Sequence, residues 1–117
     1  MTNPVITNLE RLINGPRDGA LLRYSLGNEW LKAGEPERAA DCLAAAVTAD
    51  AHYSAAWKLL GKALLGAGRP EEAIAAWEQG IAAAEAKGDI QAAKEMKVFI
   101  KRAQRDRLLP AETPTVP

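Results

Sequence analysis

Leu26-Gly27-Asn28-Glu29-Trp30-Leu31-Lys32-Ala33-Gly34-Glu35-Pro36-Glu37-Arg38-Ala39 returns 34 residues later as Leu60-Gly61-Lys62-Ala63-Leu64-Leu65-Gly66-Ala67-Gly68-Arg69-Pro70-Glu71-Glu72-Ala73. The Leu-Gly pair, the second leucine, the last glycine, the Pro-Glu pair and the closing alanine all keep their places. Beyond them Trp77 stands where Leu43 stood, and Ile81 where Val47 stood. A fixed period of this size marks an array in which each unit buries its apolar face only against its neighbours. Such an array offers partners a curved surface rather than a catalytic pocket.

Glycine and proline punctuate both copies. Gly34 and Gly68 end one helix, and Pro36 and Pro70 open the next, each followed by a glutamate that suits the positive end of the helix dipole. The spacing predicts helices from about Gly19 to Ala33, with Leu21, Leu22, Leu26 and Trp30 apolar, and then one carrying Ala39, Leu43, Ala46 and Val47. The second copy gives a helix bearing Trp57, Leu60, Gly61 and Leu64, capped by Ser54 or a neighbour. A further helix then carries Ala73, Trp77, Gly80, Ile81 and Ala84.

Ahead of the copies, Asn3-Pro4 reads as cap and first residue of a short helix with Val5, Ile6, Leu9, Leu12 and Ile13 on its stripe, ending at Gly15-Pro16. After them, Gly88-Asp89 leads into a sixth helix, from about Ile90 to Arg107. Ala92, Met96, Phe99, Ile100 and Ala103 are its apolar positions. The proline-rich end carries no periodic apolar residues and reads as disordered. No segment alternates with period two, so the chain is all-α. Its expected organisation is an N-terminal cap over 1–16, units over 17–51 and 52–87, a C-terminal cap over 88–108 and a tail over 109–117.

Composition narrows the function classes. At 117 residues the chain is one domain. Fifteen Lys and Arg balance fifteen Asp and Glu, which gives no global pull toward nucleic acid or anionic membrane. Cys42 alone builds no disulfide framework, and the opening residues lack the basic-then-apolar order of a secretory signal. No run approaches the ~18 apolar residues of a membrane span. The expectation is a soluble cytoplasmic protein.

The repeated residues resemble the tetratricopeptide repeat (TPR) over about Gly19 to Lys87. The second copy supplies Trp57, Leu60-Gly61, Leu64, Ala73 and Trp77. The first supplies Leu26-Gly27, Trp30, Ala39, Leu43 and Ala46, with Arg23 in the place of Trp57. The family's closing proline is absent, with Ala51 and Glu85 at its positions, and the sixth helix lacks a Leu-Gly pair, so it reads as a cap. In this signature Gly27 and Gly61 allow close helix approach, Ala39 and Ala73 receive bulky neighbours, and Leu43 and Trp77 fill the space between repeats.

The resemblance implies a TPR-type helical hairpin array of about six helices that binds proteins on its concave face. Tyr24, Asn28, Leu31 and Lys32 would face the groove from the first repeat, with Ala55, Lys58, Lys62 and Leu65 from the second. Asn28, Lys58 and Lys62 would then form a grip of the kind that co-chaperones use on a terminal carboxylate. The plain alternative is a solvated lysine face. The expected partner is a protein or peptide, the protein itself being a monomer or weak homodimer, with neither nucleic acid nor membrane as target. The competing reading is an assembly subunit that self-associates through its capping helices.

The basic run Lys94, Lys97, Lys101, Arg102, Arg105 and Arg107 reads as a solvated helix face, since no aromatics are interleaved for base stacking. Cys42 reads as a small, inert hydrophobe beside a repeat helix and His52 as a local hydrogen-bonding residue. One His and one Cys complete no zinc shell. No catalytic residue, metal site or cofactor is expected.

Overall fold

The computed structural model describes residues 3–112, with side chains through Arg107. Six α-helices follow one another: α1 (Pro4–Glu10), α2 (Ala20–Lys32), α3 (Pro36–Ala49), α4 (Ser54–Gly66), α5 (Pro70–Lys87) and α6 (Ile90–Glu112). Among the described residues there is no strand. α2 pairs with α3 and α4 with α5 as two hairpins, α3 packs on α4, and α6 packs on α5. α2 and α6 also touch α4 from either side, so α2, α4 and α6 form one row with α3 and α5 behind. The whole is a slab of 58 × 40 × 18 Å.

The repeated punctuation becomes repeated geometry. Gly34 and Gly68 both sit at φ +78°, in the left-handed region that suits glycine. In the first turn the Gly34 and Glu35 N–H groups donate to the Leu31 and Trp30 carbonyls. In the second, Gly68 and Arg69 donate to Leu65 and Leu64. This is the double bond that satisfies a helix's last carbonyls. Pro36 and Pro70 then open α3 and α5 where no amide partner is needed.

The core runs through both hairpins. Leu26, Ala39, Leu43, Ala56, Ala63, Ala73 and Met96 are wholly enclosed, and Trp77, Leu60 and Leu64 nearly so. Gly27 and Gly61 are the close-approach points. A Cβ on Gly27 would run into the Leu43 side chain, and one on Gly61 into the Trp77 indole. Leu43 and Trp77 therefore each fill a notch inside their own hairpin, a contact the signature reading did not name, and Trp77 reaches on to Phe99 of α6 at 5.4 Å. The two repeats meet where α3 packs on α4, and the second repeat meets α6 at Gly80 of α5, where Trp57 from α4 and Met96 from α6 converge. Trp30 and Trp57 are half-buried at the edges of this core.

Other expectations need correction at the ends. α1 is shorter than its apolar stripe suggested. Asn3 caps it, its Oδ1 accepting from the Val5 and Ile6 amides, but the helix ends at Glu10 and turns through Asn14 at φ 67°. Only Ile6 is buried there, with Leu9 and Ile13 alongside; Val5 and Leu12 face out because the chain turns before they complete the stripe. Leu21 is 69% exposed and takes no part in the core. Ser54 is the first residue of α4 rather than its cap, and is buried. α6 continues past Arg107 through Pro110 to Glu112. The remainder of the expected tail, 113–117, lies outside the described residues.

Candidate functional site

The front row of helices encloses a hollow of about 400 Å³. α2 contributes Tyr24, α4 contributes Ala55, Lys58 and Lys62, the start of α6 contributes Gln91 and Glu95, and Asp89 lies just ahead of it. Lys62 also lines a second hollow of about 220 Å³, with Leu65, Trp77, Phe99 and Arg102. One groove thus runs along the α4–α6 seam. Lys58 and Lys62 lie one turn apart on α4, and Glu95 and Phe99 one turn apart on α6, so they meet as two rungs.

Both rungs are occupied. Lys58 Nζ donates to Glu95 Oε1, and Gln91 Nε2 donates to Glu95 Oε2 at 3.4 Å. The Lys58 hydrogen bond, with Gln91 and the neighbouring lysine charges behind it, holds the Glu95 carboxyl below the usual carboxylate range. Lys62 Nζ lies 5.1 Å from the centre of the Phe99 ring, a cation–π contact. Tyr24 stacks at 5.1 Å on Tyr53, whose phenol is pushed up by burial and by the nearby Tyr24 and Asp50. Lysine charge in the groove is therefore matched by carboxylate and ring.

Of the residues expected on this face, Tyr24, Ala55, Lys58, Lys62 and Leu65 line the groove. Asn28, Leu31 and Lys32 do not. Leu31 is half-buried against the core, Lys32 is exposed and pairs with Glu29 at 3.4 Å, and Asn28 stands outside the lining. The three-residue grip on a carboxylate is thus not assembled. Glu95, Gln91, Phe99 and Arg102 join the groove from α6, a helix whose lack of a Leu-Gly pair marks it in the sequence only as a cap. Their one sequence signal is the four-residue spacing from Glu95 to Phe99, which copies that of Lys58 and Lys62.

A third hollow of about 350 Å³ opens on the rear between α3 and α5, over Leu60, Leu64, Ala40 and Ala76. Arg69 sits at its rim, tied to Glu72 at 2.7 Å and to Glu37 at 3.0 Å. Cys42 is half-buried, and burial raises its thiol pKa, which disfavours the reactive thiolate. The His52 backbone N–H donates to Asp50 Oδ1 at 2.9 Å. Among the described residues no three His, Cys, Asp or Glu side chains are grouped to hold a metal. No described helix is long and apolar enough to cross a membrane.

Residues 24–90 match the family model described as the tetratricopeptide repeat. A TPR repeat-containing protein of Pseudomonas aeruginosa is 50% identical over 103 residues, spanning 88% of this chain and 98% of its own. The solution structure of a Bordetella parapertussis protein is similar at TM-score 0.76 and 39% identity, over 93% of this chain and 94% of that one. The crystal structure of a tetratricopeptide repeat domain protein of Salinibacter ruber is similar at TM-score 0.68 and 28% identity, over 74% of this chain and 97% of that one.

Proposed function

This chain belongs to the tetratricopeptide repeat family, whose members generally mediate protein–protein interaction, and on that premise we propose that it is an adaptor that takes a short peptide or partner helix in its concave groove. The observation that carries this reading is the continuous hollow along α2, α4 and α6, with apolar side chains at Tyr24, Leu65 and Phe99 and cations at Lys62 and Arg102. An apolar trough with a few placed polar groups suits a helix or extended segment anchored by large side chains. Because Lys58 is committed to Glu95, the groove favours a mid-chain segment of mixed charge over a bare terminal carboxylate. A monomer working in the cytoplasm completes the reading, in keeping with the unpaired Cys42.

The test begins with peptides selected by display on the folded protein, their affinities then measured by calorimetry. Lys62→Glu alters an exposed groove position and should leave the melting temperature in place, whereas Tyr24→Ala gives up the ring contact with Tyr53 and is compared once circular dichroism shows it folded. Each should weaken a groove peptide about tenfold or more, as loss of an anchor does. Undiminished binding to both variants would move the site off this face.

A further inference from the structure

In this array each front helix but the last is covered by the rear helix that follows it: α3 covers α2, and α5 covers α4. α6 packs back on α5 and α4, and among the described residues no element follows to cover its far side. Ala93, Met96 and Ala103 are its buried face. Ile90, Lys94, Val98, Lys101 and Arg105 recur at helical spacing on the opposite face, and all are exposed. Ile90 is 57% and Val98 45% exposed, the two exposed large apolar side chains of α6 among the described residues. None of the five lines the groove, so this is a second surface.

Its charge is lopsided in a chain whose net charge is zero. The cations that have found partners show what the helix accepts. Lys97 pairs with Glu85 at 3.2 Å and Arg107 with Glu71 at 2.6 Å, both carboxylates of α5, an alanine-rich acidic helix, while Arg105 pairs with its neighbour Asp106 at 3.2 Å. Lys94 and Lys101 make no ion pair among the described residues. We propose that the far face of α6 binds an acidic amphipathic helix of another protein, lying where the rear helix of a third repeat would lie. Its apolar side chains cover Ile90 and Val98, and its carboxylates meet Lys94 and Lys101. A second copy offering this same face brings cations against cations. Single-stranded nucleic acid needs stacking rings that the face lacks, and two apolar side chains are few for insertion at a membrane surface.

The test selects helical peptides, with solvent-facing positions randomised, on the full chain. Binders from this face carry Asp or Glu flanking an apolar i, i+3/i+4, i+7 stripe. A synthetic binder shifts the backbone amides of α6 from Ile90 to Arg105. Lys94→Glu with Lys101→Glu weakens it at least tenfold, whereas Lys62→Glu in the groove leaves it unchanged, which separates this surface from the proposed peptide groove. Circular dichroism checks that the double variant stays folded, and Lys94→Gln with Lys101→Gln serves if it does not. Binders without acidic enrichment, or indifferent to both double variants, overturn the proposal. So does binding of a single-stranded oligonucleotide or of phosphatidylserine vesicles that the double variant abolishes. Concentration-dependent self-association abolished by Val98→Glu overturns it in favour of a second copy.

Discussion

In the first hairpin Leu43 fills the notch at Gly27; in the second, Trp77 fills the notch at Gly61. The turns that close them match in backbone and hydrogen bonding, each with a glycine at φ +78° and Pro-Glu two residues on. Upstream the two differ again. Where Trp57 reaches from α4 to donate its Nε1–H to the Ala51 carbonyl at 2.8 Å, Arg23 reaches from α2 to Asp18 at 2.9 Å. The same backbone is thus held by rings in the middle of the array and by a smaller knob and an ion pair near its end. Position explains the difference: α4–α5 has helices on both sides, α3 and α6, whereas α2–α3 has only the short α1 on its outer flank.

The largest test of that contrast is to remove the knobs. Trp77→Ala should cost about 3–5 kcal/mol, the range for deleting a large buried ring. Leu43→Ala should fall nearer the lower end of the roughly 2–5 kcal/mol seen for buried leucines. Urea denaturation of both variants gives the order, and a Leu43→Ala loss equal to or above that of Trp77→Ala breaks the comparison.

Filling the notches is the next largest. A Gly-to-Ala change inside a helix gains about 0.5–1 kcal/mol from backbone entropy, and overpacking a core costs about 1–3 kcal/mol. At Gly61 the second effect wins, because the Trp77 ring cannot retreat. Its Nε1–H is bonded to the Lys58 carbonyl at 3.0 Å and its face rests 5.4 Å from Phe99. At Gly27 the obstacle is a leucine, which relieves part of the clash by rotating. Gly61→Ala should therefore destabilise more than Gly27→Ala, and the reverse order in denaturation would show that the ring is not pinned.

What could be read from the sequence follows the same division. The turns were legible because glycine at positive φ and proline at a helix start are requirements of the local backbone, and local requirements repeat with the period. The knobs were legible as positions, Leu43 and Trp77, but not as contacts, since only the assembled hairpin shows that they face their own glycine. The groove's second wall was not legible. Lys58 meets Glu95 across 37 residues of sequence, and α6 carries no Leu-Gly pair to mark it as part of the repeated wall. The end of α1 was not legible because the apolar spacing runs on through Leu12 and Ile13 after the helix stops at Glu10, ahead of the left-handed turn at Asn14.

A smaller effect distinguishes the two turns. Glu35 in the first makes no ion pair among the described residues, whereas Arg69 in the second bridges Glu72 and Glu37 and so links the starts of α3 and α5. Both glutamates are solvent-exposed and Arg69 is half-buried at the surface, so screening limits the gain. Arg69→Ala should lower the melting temperature slightly at low salt and leave it unchanged near 1 M, where the Debye length is about 3 Å. Glu35→Ala should change it at neither. A salt-independent loss at Arg69 would point to packing of its stem over the rear hollow instead.

The smallest expected effect is the most selective, because it touches one hairpin only. The Arg23 hydrogen bond, followed by the Asn14 amide, holds the Asp18 carboxyl at about 2, against an ordinary value of 3.8. A carboxyl lowered in the folded state binds its proton more readily when unfolded, so the pair's stabilisation is complete above about pH 4. It is lost as pH falls from there toward about 2. The bond that Trp57 makes to Ala51 has no titrating partner and should not change over that interval. Acidification should therefore loosen the α1–α2 end first, with amide resonances of residues 14–24 shifting before those of residues 55–57, which make no hydrogen bond to a carboxylate among the described residues. Asp18→Asn should remove the pH dependence from the first set and leave the second as it was. Simultaneous loss at both hairpins, or an unchanged profile in Asp18→Asn, would mean that Arg23 does not hold the end of the array as Trp57 holds its middle.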